Sequence, residues 1–578
     1  MGTLILKKIP FWVSLIALAA IIYDLGFDQS EWMRDTLSII YGTNFALAYA
    51  GLVILYFNKE TRPKGKVWVF DFIYVFFLIF ALRVVLGFQI PFFPHPNTWI
   101  YLTTIFVFVR EFSALRINFN RDYLNPAQLF VASFLMIILS GMLMLMLPKA
   151  TYAGISSIDA LFTATSAVCV TGLSVVDTGT YFTTFGQIII IFLIQIGGIG
   201  IMTFTSYFSY FFRGGSSYEN QLMLREMTNS EKIAEVFGTL KKILLLTFFI
   251  EFVGAIFIFT SLDSTMIPNF LDRAYFSGFH SVSAFCNSGF STLSAGFYDI
   301  GFRFNYPIQI YVSFLIIMGG IGFPILFNFL TYFKHLVVNS MKAMEKNKHY
   351  IYKPWLLNIN TRIVVLTTII LLIIGTSAFY WLEYENTLSE HDSFGKIVVS
   401  FFNAVTPRTA GFNNIDMGAL TFATTMIIMF LMWVGASPGG TGGGIKTSTI
   451  AVATLNIFSM ARGKNRVEIF KREISENTVK RAFATIALSL IVIGFAVFCI
   501  SIFDRKMGLL EIAFECFSAY TTTGLTLGIT TGLTPESKAV LIACMFIGRV
   551  SMLTLMIAFF RQVKTLKYRY PTEEISIN

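Results

Sequence analysis

Four short segments hold the residues whose atoms could do chemistry. They read Val170-Thr171-Gly172, Asn287-Ser288-Gly289, Thr409-Ala410-Gly411 and Thr522-Thr523-Gly524, each followed by Leu or Phe. None carries a carboxylate, so the useful atoms are backbone carbonyl oxygens. A ring of carbonyls can replace the hydration shell of a potassium ion. Glycine suits such a ring, because carbonyls converging on an axis demand backbone angles that a side chain obstructs. The pattern points to carbonyl coordination of a monovalent cation.

One glycine of this kind is weak support, since glycines in membrane proteins also permit close helix packing. Four at equivalent positions in four equivalent units favour a pore. The units are 126–213, 234–338, 355–465 and 478–570. Each has an apolar span, a helix-like stretch of about 12 residues, the glycine motif and a second apolar span. A stretch that short cannot cross a bilayer and reads as re-entrant. Non-helical backbone at membrane depth is tolerated only where it is buried in protein or lines a wet cavity. The short helices would aim their negative C-terminal ends at the ion. Asp177 and Asp299, downstream of the first two motifs, are candidates for drawing cations to the outer mouth.

Composition fits a membrane protein. The mean hydropathy is +0.69, and 13% of residues are charged against about 25% in a soluble domain. The net charge of +10 does not call for nucleic acid. Lys and Arg crowd into 213–242, 334–362, 462–481 and 561–569, and positive loops stay cytoplasmic. The expected location is the plasma membrane (a bacterial inner membrane), crossed many times. Cys169, Cys286, Cys499, Cys516 and Cys544 form no CxxC or Cys/His cluster, so no metal site or disulfide framework follows. His95, His280, His335, His349 and His391 are scattered with no triad-like setting, which argues against an enzyme. A proton-coupled transporter would show inverted repeats and midplane acids. Here the repeats run parallel, and Glu251 and Asp71 are the few acids inside spans.

Residues 1–125 differ from the rest, with apolar segments at about Ile9–Tyr23, Ile39–Phe57, Val67–Phe88 and Thr98–Val109. Lys7-Lys8 and Ala17-Leu18-Ala19 fit a cleaved secretory signal, but Ile21 and Ile22 extend the apolar run past it. Two readings of the module stand. Four spans with Arg110, Arg116 and Arg121 suggest a voltage sensor, yet a sensor needs several charges in the field, and only Arg83 lies within a span. The alternative is a packing, lipid-contact or partner-binding module.

Two features suggest a gate. The second span of the third unit is interrupted at 435–446 by a proline followed by Gly439, Gly440, Gly442, Gly443 and Gly444, ahead of Lys446. Such a run cannot hold a stable helix. It is not a phosphate-binding loop, because Ile445 separates the glycines from the lysine. A helix kink and a mobile loop are the open alternatives. Arg549 sits deep in the second span of the fourth unit, where a charge is a functional candidate by default. Its expected role is to project below the glycines and bond loop carbonyls. Lys446 is either part of that gate or a helix-end cation meeting cytoplasmic water.

The sequence resembles the Trk/Ktr/HKT superfamily of cation transporters, closest to KtrB- and TrkH-type membrane subunits. The matching stretches are TSAVCVTGLSVVDTG, QIGGIGIMTF, SAFCNSGFS, NAVTPRTAGFN, GASPGGTGGGIKTST and SAYTTTGLTLG, and the likeness runs from about residue 126 onward. Cys169, Cys286 and Ser288 near the motifs depart from the pattern. The resemblance implies four filter glycines, Gly172, Gly289, Gly411 and Gly524. Gly172 implies potassium, since members with Ser there favour sodium. It also implies a homodimer working with a cytosolic ring of nucleotide-binding regulatory domains, and no organic cofactor in this chain. The expected fold is an all-α integral membrane protein. Four tandem helix–pore-loop–helix repeats in pseudo-fourfold array follow about four extra transmembrane helices.

Overall fold

The computed structural model describes residues 9–57, 67–85, 97–114, 126–200, 236–263, 266–344, 357–464 and 466–559. Arg116, Arg121, Arg213 to Lys232, Lys346 to Lys353, the tail from Arg561, His95 and His349 lie outside these residues, as do the unit ends at 213, 234, 355, 465 and 570.

The N-terminal module is four helices: α1 (Ile9–Gly26), α2 (Glu31–Phe57), α3 (Val67–Val85) and α4 (Thr98–Ala114). The second starts at Glu31, eight residues before the expected apolar segment, because Glu31 and Arg34 sit in its exposed first turns. The core of the module is Ala17, Tyr41, Phe45, Ala48, Tyr74, Leu78 and Ala81. Polar side chains pair inside it. Arg110 contacts Asp71 at 3.2 Å, Tyr56 donates to Asp71, and Tyr101 donates to Asp24. The module meets the rest of the chain where Gly26 packs on Leu147 and Lys149 pairs with Asp28.

The remainder starts with α5 (Pro126–Leu145), α6 (Ser157–Cys169), α7 (Thr184–Ile199), α8 (Val236–Ser261), α9 (Phe270–Cys286), α10 (Tyr306–Ile321) and α11 (Phe323–Met344). It continues with α12 (Ile359–Leu382), α13 (Ser393–Val405), α14 (Phe422–Trp433), α15 (Thr447–Ala461), α16 (Glu476–Phe503), α17 (Leu509–Thr521), α18 (Pro535–Val550) and α19 (Met552–Phe559). One departure from an all-helical chain is a two-residue antiparallel hairpin, Glu468–Ile469 with Arg472–Glu473. Its turn residues Phe470 and Lys471 both have positive φ, the backbone that a tight hairpin turn requires.

Among the described residues, five helices (α1, α2, α8, α12 and α16) are long and apolar enough to cross a bilayer, six if α10 and α11 count as one bent span. The helices after the glycine motifs are shorter, and each ends at a corresponding place. α7 ends at Gly200 (φ 92°), α10 at Gly322 (φ 94°) and α18 at Ser551 (φ 74°). At Gly322 the axis turns by 102°. In the third unit the break widens to the whole of 434–446. Sequence pattern had flagged only this last one.

Candidate functional site

The four short helices α6, α9, α13 and α17 begin at side-chain caps that satisfy the free N–H groups of a first turn. Ser156 accepts from the Asp159 N–H, Asn269 from Leu271 and Asp392 from Gly395. In α17 the Glu511 carboxylate takes the N–H of Gly508. Phe162, Phe276, Phe402 and Phe514, one on each of these helices, are buried in the surrounding cores.

Those ends share one backbone path. Val170, Asn287, Thr409 and Thr522 have φ of 58°, 60°, 72° and 53°, and two residues on Gly172, Gly289, Gly411 and Gly524 have φ of 88°, 72°, 79° and 91°. The residue between keeps an ordinary φ. A hydroxyl near the end of each short helix ties this path down. Ser166 accepts from the Gly172 N–H and Ser518 from that of Gly524, both at 3.0 Å. Ser283 donates to the Phe290 carbonyl and Thr406 to that of Phe412, both at 2.6 Å. These four residues escaped the sequence reading. A fixed offset of six residues before the glycine (five in the third unit) marks them.

The four glycines meet in a closed ring. A Cβ on Gly172 would press on the Ser288 carbonyl and come within 3.1 Å of the Gly289 Cα. One on Gly289 would approach the Ala410 carbonyl at 2.7 Å and the Gly411 Cα at 3.0 Å. One on Gly411 would press on the Thr523 carbonyl, and one on Gly524 would return to the Thr171 carbonyl and lie 3.0 Å from the Gly172 Cα. All twelve residues that the sequence singled out are thus gathered, with Val170, Thr171, Asn287, Ser288, Thr409, Ala410, Thr522 and Thr523 fully buried. The hydroxyls of Thr171, Thr409 and Thr522 are buried with no protein partner.

The glycine loop packs directly beside this ring. A Cβ on Gly442 would fall on the Thr409 hydroxyl and one on Gly443 on that of Thr522. Backbone hydrogen bonds stitch the loop to the bend between α10 and α11: Ser437 N–H to Gly320 at 2.9 Å, Thr441 N–H to Gly319 at 3.2 Å, and Phe323 N–H to Gly439 at 3.1 Å. Thr441 also donates its hydroxyl to the Phe285 carbonyl at 3.1 Å. Arg549 reaches across from α18. One guanidinium nitrogen donates to the Thr441 carbonyl and the other to that of Gly197 at 2.5 Å. Lys446 stands at the first position before α15 and folds back, its ammonium donating to the carbonyls of Gly442 at 2.7 Å and Gly443 at 3.4 Å. Gly439 and Gly440 lie farther out, against Pro324 and Gly320.

Asp177 and Asp299 are occupied with local turns. Asp177 accepts from the Gly179 N–H and the Thr180 hydroxyl, and Asp299 from the Ile300 N–H. Glu251 accepts both amide hydrogens' contacts from Gln195, at 3.0 and 3.1 Å. Among the described residues no group of three or more His, Cys, Asp or Glu could hold a metal ion.

A family model described as a cation transport protein, TrkH, matches residues 98–568. The chain is 35% identical over 455 residues to the Ktr system potassium uptake protein B of Bacillus subtilis, covering 78% of this chain and 96% of that one. It is likewise 35% identical to the potassium/sodium uptake protein NtpJ of Enterococcus hirae, covering 79% and 98%. The crystal structure of the potassium transporter TrkH from Vibrio parahaemolyticus superposes with a TM-score of 0.60 at 16% identity, covering 85% of this chain and 97% of that one.

Proposed function

Because the chain belongs to the TrkH family of cation transport proteins, we propose that it takes up potassium, with sodium as a second candidate ion, through a pore along the axis of the four glycines. The observation that carries this is the closed ring, in which each glycine lies against the carbonyl of the next segment. Alternating positive and negative φ turns successive carbonyls to one side, and carbonyls so gathered substitute for a cation's water. The unpartnered hydroxyls of Thr171, Thr409 and Thr522 add oxygen atoms of the right kind. In this reading the filter is Val170-Thr171-Gly172, Asn287-Ser288-Gly289, Thr409-Ala410-Gly411 and Thr522-Thr523-Gly524. The units 126–213, 234–338, 355–465 and 478–570 are four quarters of one pore, and residues 1–125 form an accessory module.

The gate is the loop holding Gly439, Gly440, Gly442, Gly443, Gly444 and Lys446, latched by Arg549. The protein works in the plasma membrane as a homodimer, docked on a cytosolic nucleotide-binding ring. Support for the docking is inherited: relatives are named as parts of a Ktr system, and Lys and Arg crowd into four loops that the positive-inside rule assigns to the cytoplasm. The test is potassium and sodium flux in proteoliposomes, wild type against Gly172→Ser. Reduced preference for potassium is expected, and equal selectivity in both would remove the filter assignment.

A further inference from the structure

Behind the ring, one position on each short helix is polar: Thr163, His280, Asn403 and Glu515. Each lies three residues before the hydroxyl that ties the glycine loop. Eleven residues further along stand Ser174, Ser291, Asn414 and Thr526, just past the glycines. In three of the four quarters the two positions bond across that gap. His280 Nδ1 bonds the Phe276 carbonyl, so its Nε2 is left to accept from the Ser291 hydroxyl at 2.9 Å. Asn403 donates to Asn414 at 2.7 Å, and Asn414 donates onward to Gln309 at 2.9 Å. Thr526 donates to the Glu515 carboxylate, and the Thr530 hydroxyl, with one hydrogen to share, lies 3.0 Å from the same oxygen and 2.8 Å from the Thr526 hydroxyl. In the first quarter the Thr163 hydroxyl is buried without a partner.

We propose that these pairs are struts that fix the outward ends of the second, third and fourth filter segments, and that Glu515 is a specificity-determining positioning residue of the fourth. The inference rests on the pore reading. A carbonyl ring discriminates between ions by how closely its oxygens keep their spacing. Gly524 is held from one side by Ser518 at its N–H. Glu515, through Thr526 two residues on, holds it from the other. The carboxylate is 1% exposed, forms no ion pair among the described residues, and uses only one oxygen, the second being buried and unpartnered. Its role is therefore carried by an acceptor atom at a fixed place, which an amide oxygen also supplies.

The test is the potassium-to-sodium flux ratio in proteoliposomes of the full chain for Glu515→Gln, Glu515→Ala, Thr526→Val and the Glu515→Ala/Thr526→Val double variant, with Gly172→Ser alongside. Loss of the strut's hydrogen bonds predicts a ratio lowered about five- to tenfold in Glu515→Ala and Thr526→Val. The double variant should be no worse than either single one, and Glu515→Gln should stay within about twofold of wild type. Thermal unfolding of each variant in detergent identifies any that fail to fold, and Glu515→Gln then carries the test through its own ratio. An unchanged ratio in folded Glu515→Ala, additive effects in the double variant, or a collapsed ratio in Glu515→Gln would each overturn the strut. If Gly172→Ser also leaves the ratio untouched, it is the pore reading that has failed.

Discussion

Replacing Arg549 by Ala removes the latch between α18, the glycine loop and α7. The guanidinium makes two hydrogen bonds, to the carbonyls of Thr441 and Gly197. Hydrogen bonds from a charged group contribute about 1.5–3 kcal/mol each, so the latch stabilises the closed loop by at least about 3 kcal/mol. Each 1.4 kcal/mol is a factor of about ten in population, so that minimum corresponds to about 100-fold. The backbone stitches from Ser437 and Thr441 to Gly320 and Gly319 survive the substitution and hold part of the closed population. Basal potassium flux in proteoliposomes containing no other protein should therefore rise about 10- to 100-fold. Removing the positive charge from the cation path acts in the same direction. Arg549→Lys keeps the charge but cannot span both carbonyls in a fixed fork, so it should fall between wild type and Ala. Flux that is unchanged or lower in Arg549→Ala, at normal thermal stability, would refute the latch.

Two further outcomes are expected. In Gly289→Ala a Cβ meets the Ala410 carbonyl at 2.7 Å with φ at 72°, and left-handed backbone alone costs a side-chain-bearing residue about 1–2 kcal/mol. Thermal stability and potassium preference should both fall, whereas Gly278→Ala in the preceding helix α9 meets nothing within 4 Å and should be neutral or slightly stabilising; equal effects of the two would contradict the ring. Just beyond α12, burial pushes the Glu383 carboxyl up, but hydrogen bonds from Thr424, Thr421 and Thr387 outweigh it and hold its pKa below the ordinary value. A depressed carboxylate stabilises the fold above its unfolded pKa, about 4.3, and that stabilisation is lost as pH falls through the folded value. Melting temperature followed against pH should drop less steeply on the acid side in Glu383→Gln, and identical slopes would rule this out.

The parts of the site that the sequence displayed are those where a residue type is costly in its surroundings. Arg549 inside an apolar run, five glycines within six residues, and a glycine closing a helix too short to span a bilayer all stand out against lipid-compatible sequence. The breaks at Gly200, Gly322 and Ser551 did not stand out. Gly197-Gly198 and Gly319-Gly320 read as helix-packing residues, and they are that too: a Cβ on Gly197 would press on the Val168 carbonyl and one on Gly319 on that of Phe285. Ser551 has no glycine to announce its positive φ. Ser166, Ser283, Thr406 and Ser518 were hidden for the opposite reason. A small hydroxyl residue in a buried helix is unremarkable until four copies are set in register. Inside residues 1–125, Asp71 was visible as an acid in a span, but its partner Arg110 lies on another helix, a pairing that only the fold creates.

Among the described residues the break of the third quarter has no twin of equal size, and neither does Arg549. Joining four quarters in one chain is what permits this. Were the ring assembled from identical subunits, every substitution would occur four times around the axis. Four guanidinium groups would then converge where one now lies, and four glycine loops would compete for the space beneath the filter. In the proposed pore a single covalent chain keeps the ion ligands nearly symmetric, as a round ion requires, while assigning the closing element to one quadrant and its fastening to another. Each quadrant is thus free to drift in sequence wherever it faces away from the axis. The third segment has done so, reaching its glycine from Thr406 in one residue fewer than the other three take from their serines.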